Sequence, residues 1–299
     1  MKSQVSQGSD VFVVRLGNDS IDKGMSRLCS SMSLPNRLTS IIIKINMCDY
    51  RPPESGAVSD PKVVSALLRW LRLEYPTADI CLVENDATSA RADILFKYLG
   101  FDTLARTYGA HTVNLAKAAW VRKKIDGYIL NYIEVPQLFE EADLVVTHPK
   151  LKTHSLTQVT CGLKNMFGCF KPTRKVRYHH LLDRLISDIN LGMGANLSIV
   201  DANTCHEGIA GPAYGSPRHL GFFIGGRDIV AVDAFCAHLA GFRPKRVAHI
   251  RYAYEKGLGD LRYQVKGDDV MAEIPSCKLN FNMTLFHVIR LARLVGFGA

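Results

Sequence analysis

Short, nearly unbroken apolar runs alternate along this chain with longer segments in which apolar positions recur every three or four residues. VFVVRL (residues 11–16) reads as a short strand, and SIIIKIN (40–46) and DICLVEN (79–85) as strands buried on both faces of a parallel sheet. Between the latter two, PKVVSALLRWLRLEY puts Leu67, Leu68, Leu71 and Tyr75 on one helical face. Asp60 and Pro61 supply its N-cap and first-turn proline, and Pro76 ends it. ARADILFKYLG (90–100) is the next helix, closed by Gly100. Residues 27–38 read as polar helix or loop, and 113–135 has mixed helix and strand character. ADLVVTHPK (142–150) is a strand, 181–191 a helix and NLSIVDA (196–202) a strand. The following TCHEGIAGPAYGSPR, with Gly208, Gly211, Pro212 and Gly215, reads as a tight glycine-rich loop, after which HLGFFIGG returns as a strand. Helices follow at 227–241, started by Asp228 and stopped by Gly241, and at 244–256. A short amphipathic helix occupies 283–297.

Strands alternating with helices predict an α/β fold: two Rossmann-like, doubly wound lobes with mostly parallel sheets and a cleft between them. No linker separates the halves, and the boundary is drawn between residues 1–146 and 147–299. Ligands bind beyond the carboxyl ends of strands in such sheets. That directs attention to residues 46–50 and to Glu84, Asn85, Asp86 and Ser89, for which turn and cap chemistry is the plainer role.

Composition narrows the function classes. With 47% apolar and 22% charged residues in 299, the chain is globular rather than disordered. A net charge of +9 favours anionic partners. Neither zinc-finger spacing nor an RNA-recognition signature accompanies it, so nucleic acid is disfavoured. The polar N-terminus lacks a signal-peptide core, and no run approaches the roughly 18 apolar residues of a spanning helix, which makes the cytoplasm the expected location. Eight cysteines without a C-x-x-C pair indicate neither a disulfide framework nor a ribbon-type zinc site, and most read as buried thiols. The helix at 283–297 could lie on a membrane surface; packing on the domain or on a second copy in a homo-oligomer is the stronger expectation.

The charge is unevenly spread. Between Asp143 and Asp183 there is no carboxylate, yet this interval holds seven cations (Lys150, Lys152, Lys164, Lys171, Arg174, Lys175, Arg177), four histidines (His148, His154, His179, His180) and two cysteines (Cys161, Cys169). A basic, glycine-containing segment after a strand is a place where backbone N–H groups and fixed charge meet an anion. A solvated basic loop would look the same in composition. Lys150 and Lys152, two apart on an extended segment, could clamp an anionic group; Lys164, with Asn165, lies between Gly162 and Gly168 and could bind an anion or act through its amine. His154 facing Lys164 across a cleft would be held neutral and fit for proton transfer. Cys161 and Cys169, eight apart, are candidate metal ligands or buried thiols. Of His179 and His180 only one can face the cleft. Downstream, Asp201 and Glu207 are candidate supporting or metal-binding carboxylates, and Asp233 a partner for the basic site.

The stretches IIIKINMCDY, SDPKVVSALLRWL, DICLVEN, HPKLKTHSLTQVTCGLKNMFG with the downstream His180, IVDANTCHEGIAGPAYGSPR and GGRDIVAVDAF resemble, in order over about residues 40–260, the family called domain of unknown function 362. Many members of that family carry a ferredoxin-like segment with C-x-x-C-x-x-C repeats for iron–sulfur clusters; this chain has no such repeats, so the resemblance implies at most a ferredoxin-like electron-transfer partner. A more distant resemblance is to the nickel-pincer lactate racemase superfamily. There a histidine, a glycine-preceded lysine and a second histidine follow one another as His154, Gly162-Leu163-Lys164 and His180 do here. That resemblance implies Lys164 as covalent anchor of the pincer, His180 as nickel ligand and His154 as proton-transfer acid or base. This chain has NMFG where a proline-containing turn is usual. The expectation is therefore an enzyme binding an anionic organic cofactor or substrate, with or without a nickel-type or iron–sulfur centre, for redox or proton-transfer chemistry. Catalysis would fall to His154, Lys164 and His180, binding to Lys150, Lys152, Asn165, Gly162, Gly168 and Glu207, and metal ligation to His180, Cys161 and Cys169. The alternative is a non-catalytic metal or iron–sulfur carrier.

Overall fold

The structure, a computed structural model, describes residues 8–88, 90–172, 175–210 and 214–294. Its strands are β1 (Ser9–Arg15), β2 (Ser40–Lys44), β3 (Asp79–Glu84), β4 (His111–Asn114), β5 (Trp120–Lys124), β6 (Tyr132–Pro136), β7 (Leu144–Thr147), β8 (Lys150–His154), β9 (Gln158–Thr160), β10 (Leu197–Ala210), β11 (Tyr214–Gly226) and β12 (Tyr263–Gly267). Ten of them form one sheet in the order β12-β1-β11-β10-β7-β2-β3-β4, with β8 beside β10 and β9 beside β8; β5 and β6 form a separate antiparallel pair. β10, β7, β2, β3 and β4 run parallel, and β1 and β10 flank β11 in antiparallel sense. The fold is therefore α/β with a mostly parallel sheet. β7 pairs β10 on one edge and β2 on the other, so the sheet runs unbroken past residue 147, where sequence drew its boundary between lobes.

Alternation of side chains across the sheet builds two faces at once. Ile41 and Ile43 join Ile80 and Leu82 under the helices Ile21–Ser31 and Pro61–Glu74, while Ile42, Cys81 and Val83 pack on the other face with Leu185 and Ile189 of the helix Leu182–Met193. A third cluster gathers Val11, Val13, Val200 and Phe222 against the helix Ile229–Leu239. The expected caps are present: Asp60 accepts from the Lys62 N–H and Asp228 from the Ala231 N–H.

Several elements differ from the sequence reading. Residues 27–38 are occupied in part by the helix Ile21–Ser31, capped by Ser20. The mixed segment 113–135 resolves into β4, β5 and β6. The expected tight glycine-rich loop is instead a long hairpin: β10 and β11 remain paired from Ser198↔Gly226 to Ala210↔Tyr214, with two register shifts that absorb the irregular residues. Gly211, Pro212, Ser89 and Arg174 lie outside the described residues. The helix Met283–Leu294 seats Ile289 on the third core, buries Phe286 beside Phe281, and leaves Met283, Leu285 and Val288 exposed. Among the described residues no helix is long and apolar enough to cross a membrane.

Candidate functional site

The chain passes from β2 to β3 and β4 on one side and later places β7 on the other side of β2. At such a reversal the loops leaving neighbouring strands diverge and open a crevice. A cavity of about 170 Å³ sits there, lined among others by Lys44, Asn46, Cys48, Glu84, Lys152 and His154, together with Thr160, Lys164, Asn165, Gly168 and Lys175.

Its floor is a braced polar network. Lys44 and Glu84, at the ends of β2 and β3, form a buried ion pair at 2.8 Å, their side chains 1% and 4% exposed. Glu84 also accepts from the backbone N–H groups of Met47 and Asn85. Asn165 spends both ends of its amide on the structure. Its Nδ2 donates to the Lys44 carbonyl and to Thr147 Oγ1, and its Oδ1 accepts from Asn46 Nδ2 at 3.2 Å. Asn165 thus ties the ends of β2 and β7 together. A Cβ at position 168 would lie 2.8 Å from Lys44 Nζ, so glycine there leaves the ion pair undisturbed.

Lys164 stands on the short helix Gly162–Met166. The backbone N–H groups of Gly162 and Leu163 at its start donate to the buried carboxylate of Asp233, at 2.8 and 3.0 Å. The expectation that these N–H groups receive an external anion is thereby corrected: the protein supplies its own, and Gly162 meets Asp233 rather than a ligand. Burial pushes Asp233 up to about 6 even so. Lys164 itself makes no hydrogen bond or ion pair among the described residues, and burial, helped by Lys152, brings its ammonium down to about 7. Lys175 donates to the Gly168 carbonyl and is lowered by burial to about 8. Lys152 donates to Asn46 Oδ1 and to the Ala57 carbonyl, both at 2.7 Å, and burial lowers it as well. Gly56, at φ +69°, lets the loop that carries Ala57 lie directly on the Cys205 carbonyl, where a side chain could not fit.

His154 ends β8, and the β8–β9 hairpin turns immediately after it, with Gln158 at φ +66°. Burial first, then the charges of Lys164 and Lys152, hold it well below the usual histidine range, so the ring is neutral. Its Nδ1 accepts from the Leu156 N–H at 3.1 Å. A neutral imidazole with Nδ1 used as acceptor carries its proton on Nε2. The ring therefore offers an N–H donor, not the free base expected from sequence.

The remaining predicted residues are dispersed. Lys150 is committed to a buried ion pair with Asp201 at 2.8 Å and does not line the cavity. Glu207 accepts from the Asn280 N–H on the β10–β11 hairpin. His180 is exposed on the 3₁₀ turn Lys175–Leu181 and does not line the cavity; the imidazoles that bear on His154 are His179 and His249. Cys161 and Cys169 are buried in different apolar clusters, and burial lifts Cys169 to about 12. Among the described residues no three His, Cys, Asp or Glu side chains are gathered as a metal would require. The donor set does not fit a resident nickel or iron–sulfur centre, whose ligands would have been His180, Cys161 and Cys169.

Lys44 and Thr160 went unrecognised as site residues, while Cys48 lay in the 46–50 loop and Lys175 among the seven cations without either being given a role. Lys44 had a signal, a cation closing an otherwise apolar strand, and Thr160 is joined to the site only by folding.

An α/β chain with a lysine-rich crevice at the reversal of a parallel sheet is the class that fold and site define. The family described as Domain of unknown function (DUF362) matches residues 41–238, and the chain belongs to it. It is 30% identical over 119 residues to a thylakoid-associated protein of Synechocystis sp., an alignment spanning 38% of this chain and 37% of that protein. The lactate racemase apoprotein from Thermoanaerobacterium thermosaccharolyticum is similar in fold, with a TM-score of 0.52 and 11% identity over 78% of this chain and 57% of that one.

Proposed function

We propose that the cavity binds a small carboxylate carrying a carbonyl and moves a proton at the neighbouring carbon, which makes the protein an enzyme of proton-transfer chemistry. The supporting observation is electrostatic. Four lysines line the cavity with a single carboxylate, Glu84, and that carboxylate is held by Lys44. Lys152, Lys164 and Lys175 have carbonyl or amide partners, or none, and an anion is the missing complement. Within the site the roles divide by proton state. Lys164, at about 7 in the empty cavity and raised by the bound anion, serves as base in the fraction of complexes that hold it as free amine, a fraction that grows as pH rises. His154, neutral with its proton on Nε2, donates to the carbonyl oxygen as charge develops there, a task for which a neutral imidazole is well suited.

The fold neighbour is named a lactate racemase, so lactate joins pyruvate and longer 2-oxo acids in the test panel. Exchange of carbon-bound hydrogen in deuterated water, followed by proton NMR, is expected for at least one member. Lys164→Met should abolish it, and His154→Gln should slow it by about 10²–10⁴ while leaving binding intact. Absence of binding across the panel would overturn the reading. The carrier alternative has no observation in its favour, since the described residues gather no metal-binding cluster.

A further inference from the structure

Of the eight cysteines, seven are buried; Cys48 alone is partly exposed, and it lines the cavity. It follows β2 on the loop whose Ala57 carbonyl accepts both from Lys152 Nζ and from the Cys48 thiol, the latter at 3.3 Å. Lys152 Nζ lies 3.7 Å from Cys48 Sγ, and Lys164, with no carboxylate in contact, shares the cavity. Opposite, Thr160 is 4% exposed and its hydroxyl has no hydrogen-bond partner. A buried hydroxyl is rarely left unsatisfied, and this one is free to bond a group that enters the cavity. The Cys48 thiol also lies 3.8 Å from Asp49 Oδ2, a carboxylate already paired with Arg51, so the thiol, Lys152, Lys164 and the unpaired hydroxyl still suit a negatively charged, sulfur-reactive molecule.

We propose that Cys48 is a covalent modification site, at which a low-molecular-weight disulfide bearing carboxylates forms a mixed disulfide and closes the cavity. In the exchange the Cys48 thiol gives its proton to a neighbouring lysine amine. The thiolate attacks one sulfur of the disulfide, the S–S bond of the small molecule breaks, and the departing thiolate takes the proton back. Cys48 is oxidised to the mixed disulfide and the other half of the reagent is reduced to a thiol, so no further oxidant is needed. The carboxylate left on the adduct lies among Lys152 and Lys164, which orders the reaction towards anionic reagents. Occupancy of the cavity then follows the thiol–disulfide balance around the protein. The site rests on the anion-binding reading in its choice of reagent, and on the exposure of Cys48 alone for its reactivity.

The experiment compares dithiodiglycolate, an anionic disulfide, with bis(2-hydroxyethyl) disulfide, a neutral one, on the native full chain, read by intact mass and peptide mapping. The expected result is one adduct, at Cys48, forming at least about tenfold faster with the anionic reagent, an advantage that shrinks in high salt. Cys48→Ser should remove the adduct, and Lys164→Met should reduce the preference. The salt dependence on unmutated protein stands in if a lysine variant fails to fold. Adducts at Cys48 with no anionic preference would sink the anion-binding reading and leave a merely accessible thiol, which overturns the proposal as stated. No adduct at Cys48 with either reagent, while oxalate still binds, would overturn the modification site and spare the anion-binding reading.

Discussion

If Lys164 and Lys175 await an anion, ligand binding must take up protons. At pH 8, with Lys164 at about 7 and Lys175 at about 8, roughly nine-tenths of the first and half of the second are neutral in the empty cavity. An anion about 4 Å from an ammonium gains about 4 kcal/mol at an effective dielectric constant near 20, and roughly half of that where one side of the cavity is open to water. About 2 kcal/mol is about 1.5 pKa units, which would lift Lys164 to about 8.5 on binding. Because the bound form holds its proton more tightly, affinity is full below the free pKa and is lost as pH rises through the bound one. Affinity for oxalate, which stays fully ionised throughout, should fall about twentyfold between pH 6.5 and 9 from Lys164 alone. Isothermal titration calorimetry at constant ionic strength, in two buffers of different ionisation enthalpy, reads both the affinity and the proton uptake, which should reach about one proton at pH 8. Lys164→Met should leave only the smaller dependence that belongs to Lys175, which sets in near pH 8. Constant affinity with zero proton uptake would refute the reasoning, because no anion could then be in contact with either amine.

Three further perturbations test the scaffold. Glu84→Gln leaves Lys44 buried without its counter-charge and should cost about 3–5 kcal/mol in urea unfolding, whereas a loss under 1 kcal/mol would mean the ion pair is not buried as described. Gly168→Val places branched carbon against Lys44 Nζ; about 1–3 kcal/mol of stability and most oxalate binding should go together, and retention of both would contradict the close packing there. Asp233 rises from 3.8 unfolded to about 6 folded, so its contribution to stability is present below pH 3.8 and lost as pH climbs through 6, about 3 kcal/mol in all. In Asp233→Asn that slope disappears, and the variant should compare better with the unmodified protein at pH 7 than at pH 4.5; an equal gap at both would show that the carboxylate does not carry the linkage.

Hydrophobic patterning reached far into this fold because the parallel strands are buried on both faces. A run such as Ile41 to Ile43 has few alternatives to a central strand, the helix over it announces itself through Asp60 and Pro61, and the later helix Ile229–Leu239 does so through Asp228. Patterning failed where backbone pairing overrode composition. Glycine and proline after residue 202 suggested a loop, but Gly208 and Gly215 lie on β10 and β11, which stay paired through two register shifts. The site divided in the same way. His154, Lys152 and Lys164 were visible because they cluster in a carboxylate-free stretch, and folding does bring them to one cavity.

Sequence alone determined that this chain builds a mostly parallel α/β sheet and that its positive charge concentrates between residues 143 and 183, since both follow from local order along the polymer. Which cations remain free was decided only in three dimensions. Lys150 meets Asp201 and Lys44 meets Glu84 across strands distant in the chain, while Lys164 forms no ion pair among the described residues. Spacing cannot reveal that difference, because neutralisation acts through a few ångströms of space and the partners come from other strands of the sheet.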